Sequence, residues 1–278
     1  MRKMNYVLVV LFGLILMQSC TKDPVIDEQQ GVAPKLPSQE SFIMPFSGFE
    51  EADTTDLKGG SGARNFVTYT NWFTAATNIV VWNAVIVLNM AVPVASFAEA
   101  FRHDGEYQGN GIWLWAYSYT VHGKSYEAEL TGQFLNEGEV QWDMFISEVG
   151  GFSKVHFYTG VVTTDGTKGE WTLNFQPNNP TPYLNISYNR DDANGTASIR
   201  YTNIIPSSPD QGDYIEYREN TDASLQFDRA YDVYRVAQDN LLEIEWHEQN
   251  KEGRVKNPEH FNDSEWRCWD TNFIDIDC

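Results

Sequence analysis

Three cysteines, five histidines and an abundance of aromatic rings are the side chains whose chemistry could reach beyond packing. The histidines, His103, His122, His156, His247 and His260, are dispersed. No GxSxG elbow, phosphate-binding glycine loop, HExxH pair or CxxC pair accompanies them, so acyl-transfer, nucleotide and metalloprotease chemistry lack a motif. His247 and His260 with Cys268 and Cys278 have the ligand types zinc prefers, without its close pairing. Asp270, Asp275 and Asp277 supply oxygen ligands of the kind calcium takes, without the spacing or the glycine of a calcium loop. Glu127 with Glu129, and Glu243 with Glu245, could each furnish the two carboxylates of a glycosidase, but they fall on the polar side of their strands. The sequence therefore assigns no catalytic residue, no metal and no cofactor. Its enzyme status stays open, leaning away from catalysis.

The aromatics say more: 9 Trp, 14 Tyr and 16 Phe. Most sit on one parity of alternating segments and read as core. Trp266 and Trp269 do not share a parity, so one of them is expected to be exposed or to pack over an edge. An exposed indole there would stack on a sugar, making the two a candidate ligand platform.

The elements that would hold these residues change character near Gly109. Residues 72–103 are apolar nearly all round, without strand alternation, which suits a buried helix. Pro93 should kink it or begin a second short helix. A membrane span over 79–95 and a strand pair are the competing readings; two asparagines and the proline count against the span. From Gly109 onward the period is two. Trp113, Trp115, Tyr117 and Tyr119 alternate, as do Val140, Trp142, Met144 and Ile146, then Trp171, Leu173 and Phe175, and later Leu225 and Phe227. This is the pattern of strands with one buried face. His122-Gly123, Glu137-Gly138, Gly150-Gly151, Asp165-Gly166, Asn194-Gly195, Asp239-Asn240 and Glu252-Gly253 punctuate them as hairpin turns. The fold class expected is mainly β: a curled antiparallel meander or barrel-like sheet of about ten strands, with one long hydrophobic helix in its concave face. Strands are expected over 109–270, within a single domain covering 66–278.

The N-terminus reads as an export signal. Arg2 and Lys3 precede the uncharged run Tyr6–Met17, which at ~18 Å of helix is too short for a ~30 Å bilayer core. The run ends Met17-Gln18-Ser19-Cys20, which resembles the lipobox of bacterial lipoproteins, with Gln18 where a small or β-branched residue is usual. The C-terminal stretch Trp266-Arg267-Cys268-Trp269-Asp270, running to Asp275-Ile276-Asp277-Cys278, is similar to the ends of Bacteroidetes-type lipoproteins. That resemblance implies cleavage after residue 19, acylation of Cys20, an aromatic β-rich body and residence at the cell envelope, in the outer membrane on its periplasmic or surface face. It implies no activity, so no functional residue is carried over. Residues 20–65, with Pro24, Pro34, Pro37, Pro45 and Gly59-Gly60-Ser61-Gly62, read as a flexible tether. Phe42, Ile43, Met44, Phe46 and Phe49 interrupt it as an apolar patch that either docks on the body or forms an early strand. With Cys20 acylated, Cys268 and Cys278 remain as an even pair in an oxidising compartment, where a disulfide is expected ahead of free thiols or a metal.

The formal net charge of −20 becomes −22 once Arg2 and Lys3 leave with the signal. Such a surface is repelled by nucleic acid, which excludes that partner class. The expected partners are the membrane, through the anchor, with an apolar or glycan ligand or an envelope protein. The function expected is a non-catalytic binding or carrier module. The alternatives are a docking subunit of an outer-membrane assembly and, more distantly, a glycan hydrolase. An open concavity would favour the first, a filled one the second.

Overall fold

Alternation is what the chain obeys from residue 106 to its end. The computed structural model describes residues 31–46, 49, 68–136, 138–175 and 177–278. The signal segment and Cys20 lie outside them. One antiparallel sheet holds fourteen strands, each paired with its neighbours in sequence. They are β1 (Glu106–Gly109), β2 (Ile112–Val121), β3 (Lys124–Asn136), β4 (Glu139–Glu148) and β5 (Val155–Thr163). There follow β6 (Lys168–Phe175), β7 (Thr181–Asp191), β8 (Thr196–Asn203), β9 (Tyr214–Asn220) and β10 (Arg229–Arg235). The last are β11 (Asn240–Trp246), β12 (Gly253–Lys256), β13 (Arg267–Trp269) and β14 (Asp275–Ile276).

The strand count expected from periodicity was too low, and the sheet is not closed: β1 and β14 are its free edges. The strands not singled out by alternation are those of two to four residues, too short to display a period, together with β5, β9 and β10. The segment holding Leu225 and Phe227 is loop, not strand, and Leu225 is exposed. Its apolar pair imitated alternation that Tyr214, Ile215 and Tyr217 of β9 actually carry. Gly253 likewise belongs to a strand, and the turn before it is made by Lys251 at φ 64°.

Glycines make room for large rings on the neighbouring strands. Gly132 lies opposite Trp142, Gly160 opposite Trp171, and Gly169 opposite Tyr188. A methyl group on Gly132 would stand 2.7 Å from the Trp142 ring, and one on Gly169 2.6 Å from Tyr188. Each glycine thus leaves the space that a large ring on the paired strand occupies.

Helix α1 (Thr70–Ala100) packs against that sheet. Its halves, Thr70–Ala84 and Asn89–Ala100, meet at 70°. Pro93 has no N–H for the Asn89 carbonyl and its ring crowds that group, so a bend one turn before the proline is where proline places it. No single helix among the described residues is long and apolar enough to cross a membrane. The helix holds Ile79, Met90 and Phe97 in the same core cluster as Trp171, Ile186 and Ile244. Tyr117 Oη donates to the Ser96 carbonyl at 2.7 Å, tying the second half of α1 to β2.

The segment before α1 is also interior. Phe42 is fully buried against the rings of Phe97, Tyr158 and Trp171, and Tyr201 Oη donates to its carbonyl at 2.9 Å. Tyr231 Oη donates to the Pro45 carbonyl, and Phe49 packs on Trp246. The apolar patch therefore docks, and it does so as a strap crossing the strands rather than as a strand. The compact unit that holds the sheet runs from Val32 to Cys278.

Candidate functional site

Trp266 and Trp269 do not form a ligand platform. Trp269 is 1% exposed, and its Nε1 donates to the Lys251 carbonyl at 2.7 Å. Trp266 lies on the opposite face, covered by the Arg254 guanidinium at 4.2 Å and the Lys256 ammonium at 4.8 Å. Their odd spacing did place them on different faces, but on the outer face cations occupy the ring.

Cys268 and Cys278 are joined as a disulfide with Cα atoms 5.1 Å apart, the tail having turned back through the β13–β14 pairing. Both sulfurs are thus withdrawn from any zinc set. His247 Nδ1 accepts from the backbone of Gln249 at 3.2 Å and of Asn250 at 3.3 Å, which makes it a turn-former. Asp270 Oδ1 takes the Asn272 and Ile274 N–H groups, and Asp275 takes those of Thr70 and Asn71. These carboxylates stabilise backbone rather than converge on a cation. Among the described residues no three His, Cys, Asp or Glu side chains gather as a metal site.

The acidic pairs sit outside as well. Glu243 pairs with Lys256, Glu245 with Arg254 at 2.5 Å, and Glu129 with Lys154 at 2.9 Å, while Glu127 is exposed. Arg218 pairs with Asp232 at 2.6 Å, and burial pushes that carboxyl up despite the arginine. These ladders explain how a strongly acidic outer face holds together across neighbouring strands.

Two of the cavities among the described residues bear on a ligand. A cleft of about 490 Å³ lies between the strap and β7–β10. Its charged groups are already committed to one another. Arg190 pairs with Glu40 at 2.6 Å and with Asp192 at 2.5 Å, and Arg229 stands 3.5–4.0 Å from Asp228, Glu219 and Glu248. Tyr217 Oη donates to Glu219 at 3.2 Å and Tyr188 Oη to the Gly166 carbonyl at 3.2 Å. Glu219 and Glu248 keep a third of their surface in water, so they are not the buried, convergent pair of a hydrolase.

A second cavity, of about 370 Å³, sits where α1 bends. Trp82, Ile86 and Met90 of α1 form one wall and Phe175, Tyr183 and Leu184 another. Val81, Phe175 and Ile205 belong to its lining and are exposed by 52%, 43% and 41%. Two polar groups here lack the partners their kind usually has. Tyr183 Oη is buried with no hydrogen bond among the described residues, and burial pushes its phenol well above the ordinary range. Arg235 donates to Asn78 Oδ1 at 3.0 Å but has no carboxylate of the described residues within ion-pair distance. Each other arginine among the described residues has one. Asp210 and Asp213 also line the space; the first is exposed and the second accepts the Val236 N–H at 2.8 Å.

Neither Arg235 nor Tyr183 was singled out from the sequence. A signal for Arg235 was present: Tyr231 and Val233 are buried, and the next residue of that parity is the arginine. A cation on the inward side of a strand is the irregularity to look for. Tyr183 carried no such mark. Neither a protein-family model, nor a curated protein, nor a solved structure matches this chain.

Proposed function

We propose that this chain is an exported, lipid-anchored binding protein of the cell envelope, without catalysis, that holds an apolar ligand in the cavity at the bend of α1. The observation that carries the reading is that cavity: largely apolar walls, an exposed apolar mouth, and a phenol, Tyr183, whose Oη has no hydrogen-bond partner among the described residues. In this reading α1 is the hydrophobic filler of the sheet's concave face, and ligand binds at the end of the filler rather than in an open concavity. The anchor rests on the lipobox-like Met17-Gln18-Ser19-Cys20 and on the resemblance to Bacteroidetes-type lipoproteins. It would hold the body at the outer membrane, on the periplasmic or the surface side.

Two measurements test this. Metabolic labelling with a tagged fatty acid should mark the wild type and be lost in Cys20→Ala; unchanged labelling overturns the anchor. Titrating the unacylated body with the uncharged dye Nile red should give saturable binding near one per chain. Ile205→Trp, a change at an exposed site on the cavity mouth, should abolish it. Binding that neither saturates nor responds to Ile205→Trp overturns the cavity as the site.

A second reading, a partner-docking subunit, is favoured by the exposed Phe73, Thr77, Val80, Val81 and Ala84, which recur at helical spacing along the first half of α1. Such a stripe on a helix otherwise buried suits a contact with another protein.

A further inference from the structure

We propose that the occupant of the cavity at the α1 bend is an anionic single-chain amphiphile, a fatty acid or its like, whose carboxylate meets Arg235 and Tyr183 and whose chain lies against Trp82, Ile86, Met90 and Leu184. This rests on the reading just given, that the cavity binds an apolar ligand, and adds the headgroup and its orientation.

Charge is the first argument. In a chain of net charge −20, a cation without a counter-ion is an exception that invites one. Arg235 ends β10 on its inward parity, and a hydrogen bond to Asn78 uses one of its five N–H donors. The rest of the guanidinium fork is shaped to take a planar carboxylate on two of its N–H groups. Asp210 and Asp213 share the cavity, but neither reaches ion-pair distance of Arg235.

Hydrogen-bond accounting is the second. Among the described residues, five side-chain donors are buried without a partner: Trp142 Nε1, Tyr158 Oη, Trp171 Nε1, Tyr183 Oη and Trp246 Nε1. Of these, Tyr183 lines the cavity at the α1 bend, the same space that Arg235 lines. A phenol donor left unmade in the wall of a cavity is satisfied by an acceptor inside it.

The remainder of the lining decides what is attached to that acceptor. Ile86 is 8% exposed, Met90 2% and Leu184 6%, surfaces that reward an alkyl chain and offer nothing to a sugar. The exposed apolar residues Val81, Phe175 and Ile205 in the lining offer the chain an apolar way in.

Calorimetric titration with dodecanoate, dodecanol and dodecylamine, each below its micelle concentration and at pH 8, separates the parts. Wild type should bind dodecanoate about tenfold or more tighter than dodecanol, and dodecylamine most weakly. Arg235→Gln should bring dodecanoate down to the affinity of dodecanol while leaving dodecanol unchanged. Tyr183→Phe should weaken dodecanoate several-fold, and added salt should narrow the preference. Unfolding midpoints of both variants verify that they fold. Equal binding of dodecanoate and dodecanol by wild type, or a preference that survives Arg235→Gln, overturns the headgroup assignment while the apolar site stands. Binding of none of the three overturns both.

Discussion

Asp275 stands at the far end of the chain from the helix it caps. Its two carboxylate oxygens each lie 3.0 Å from a backbone N–H at the start of α1, those of Thr70 and Asn71. Tyr69, the residue before the helix, makes no side-chain cap of its own, so a carboxylate some two hundred residues away does this work. Asn71 Nδ2 returns the contact by donating to the Cys268 carbonyl at 2.8 Å. The disulfide between Cys268 and Cys278 thus closes a tail that also clasps the helix. Replacing Asp275 with Ala should lower stability by about 0.5–2 kcal/mol, and Asp275→Asn, which keeps an acceptor, should recover part of it. Urea midpoints at fixed pH read both. A second residue makes a prediction in pH. Asp165 accepts from the Thr163 hydroxyl, the Thr167 N–H and the Thr167 hydroxyl, and these hold its carboxyl at about 2, below its ordinary 3.8. A folded-state value below the unfolded one gives stability that is complete above pH 3.8 and lost as the pH falls towards 2. Asp165→Asn should flatten the stability profile across that interval and leave the slope above pH 5 unchanged.

Hairpin chemistry decides the elements. His122 and Gly123 join β2 to β3 with φ 49° and 77°, both left-handed, the signature of a type I′ turn. Glycine meets that demand freely, whereas histidine at its position is strained by about 1–2 kcal/mol. His122→Asn, a residue that tolerates the same region, should stabilise the body by about 0.5–1 kcal/mol in thermal unfolding, and His122→Val should destabilise it. The exposed ring makes no contact that the exchange would forfeit. Within α1 the determinant is Pro93, whose missing donor sets the bend and with it the position of the cavity wall. Short strands follow another rule. β13 and β14 have three and two residues and survive because the disulfide and the α1 clasp hold them, not because their sequences favour extension.

On the scale of the whole molecule, an open sheet of fourteen strands is stabilised by what packs against it. α1 and the strap pack on it together, and their rings meet: Phe42 of the strap lies 5.2 Å from Phe97 of the helix and 5.5 Å from Trp171 of the sheet. Phe42 therefore touches all three layers. Phe42→Ala should cost about 3–5 kcal/mol, the range for emptying a fully buried phenylalanine site, measurable as a lowered urea midpoint. A loss below about 1 kcal/mol would mean that the strap adds little to the folded body.

The alternation from Gly109 onward, the turn dipeptides at His122, Asp165 and Asn194, and the inward rings Trp142 and Trp171 made the β class legible in the sequence. So did the even cysteine pair. Period and turn chemistry act between residues a few positions apart, and a linear reading detects interactions of that range. The strap, the clasp and the cavity are made otherwise. Tyr201 meets Phe42 across 159 positions and Asp275 meets Thr70 across 205. Proline-rich polar composition marked residues 20–65 as tether, yet burial of Phe42, Met44, Phe46 and Phe49 within it outweighs the composition around them. The number of strands, the openness of the sheet and the isolation of Arg235 depend on which distant side chains arrive beside one another. Tertiary packing alone decides that.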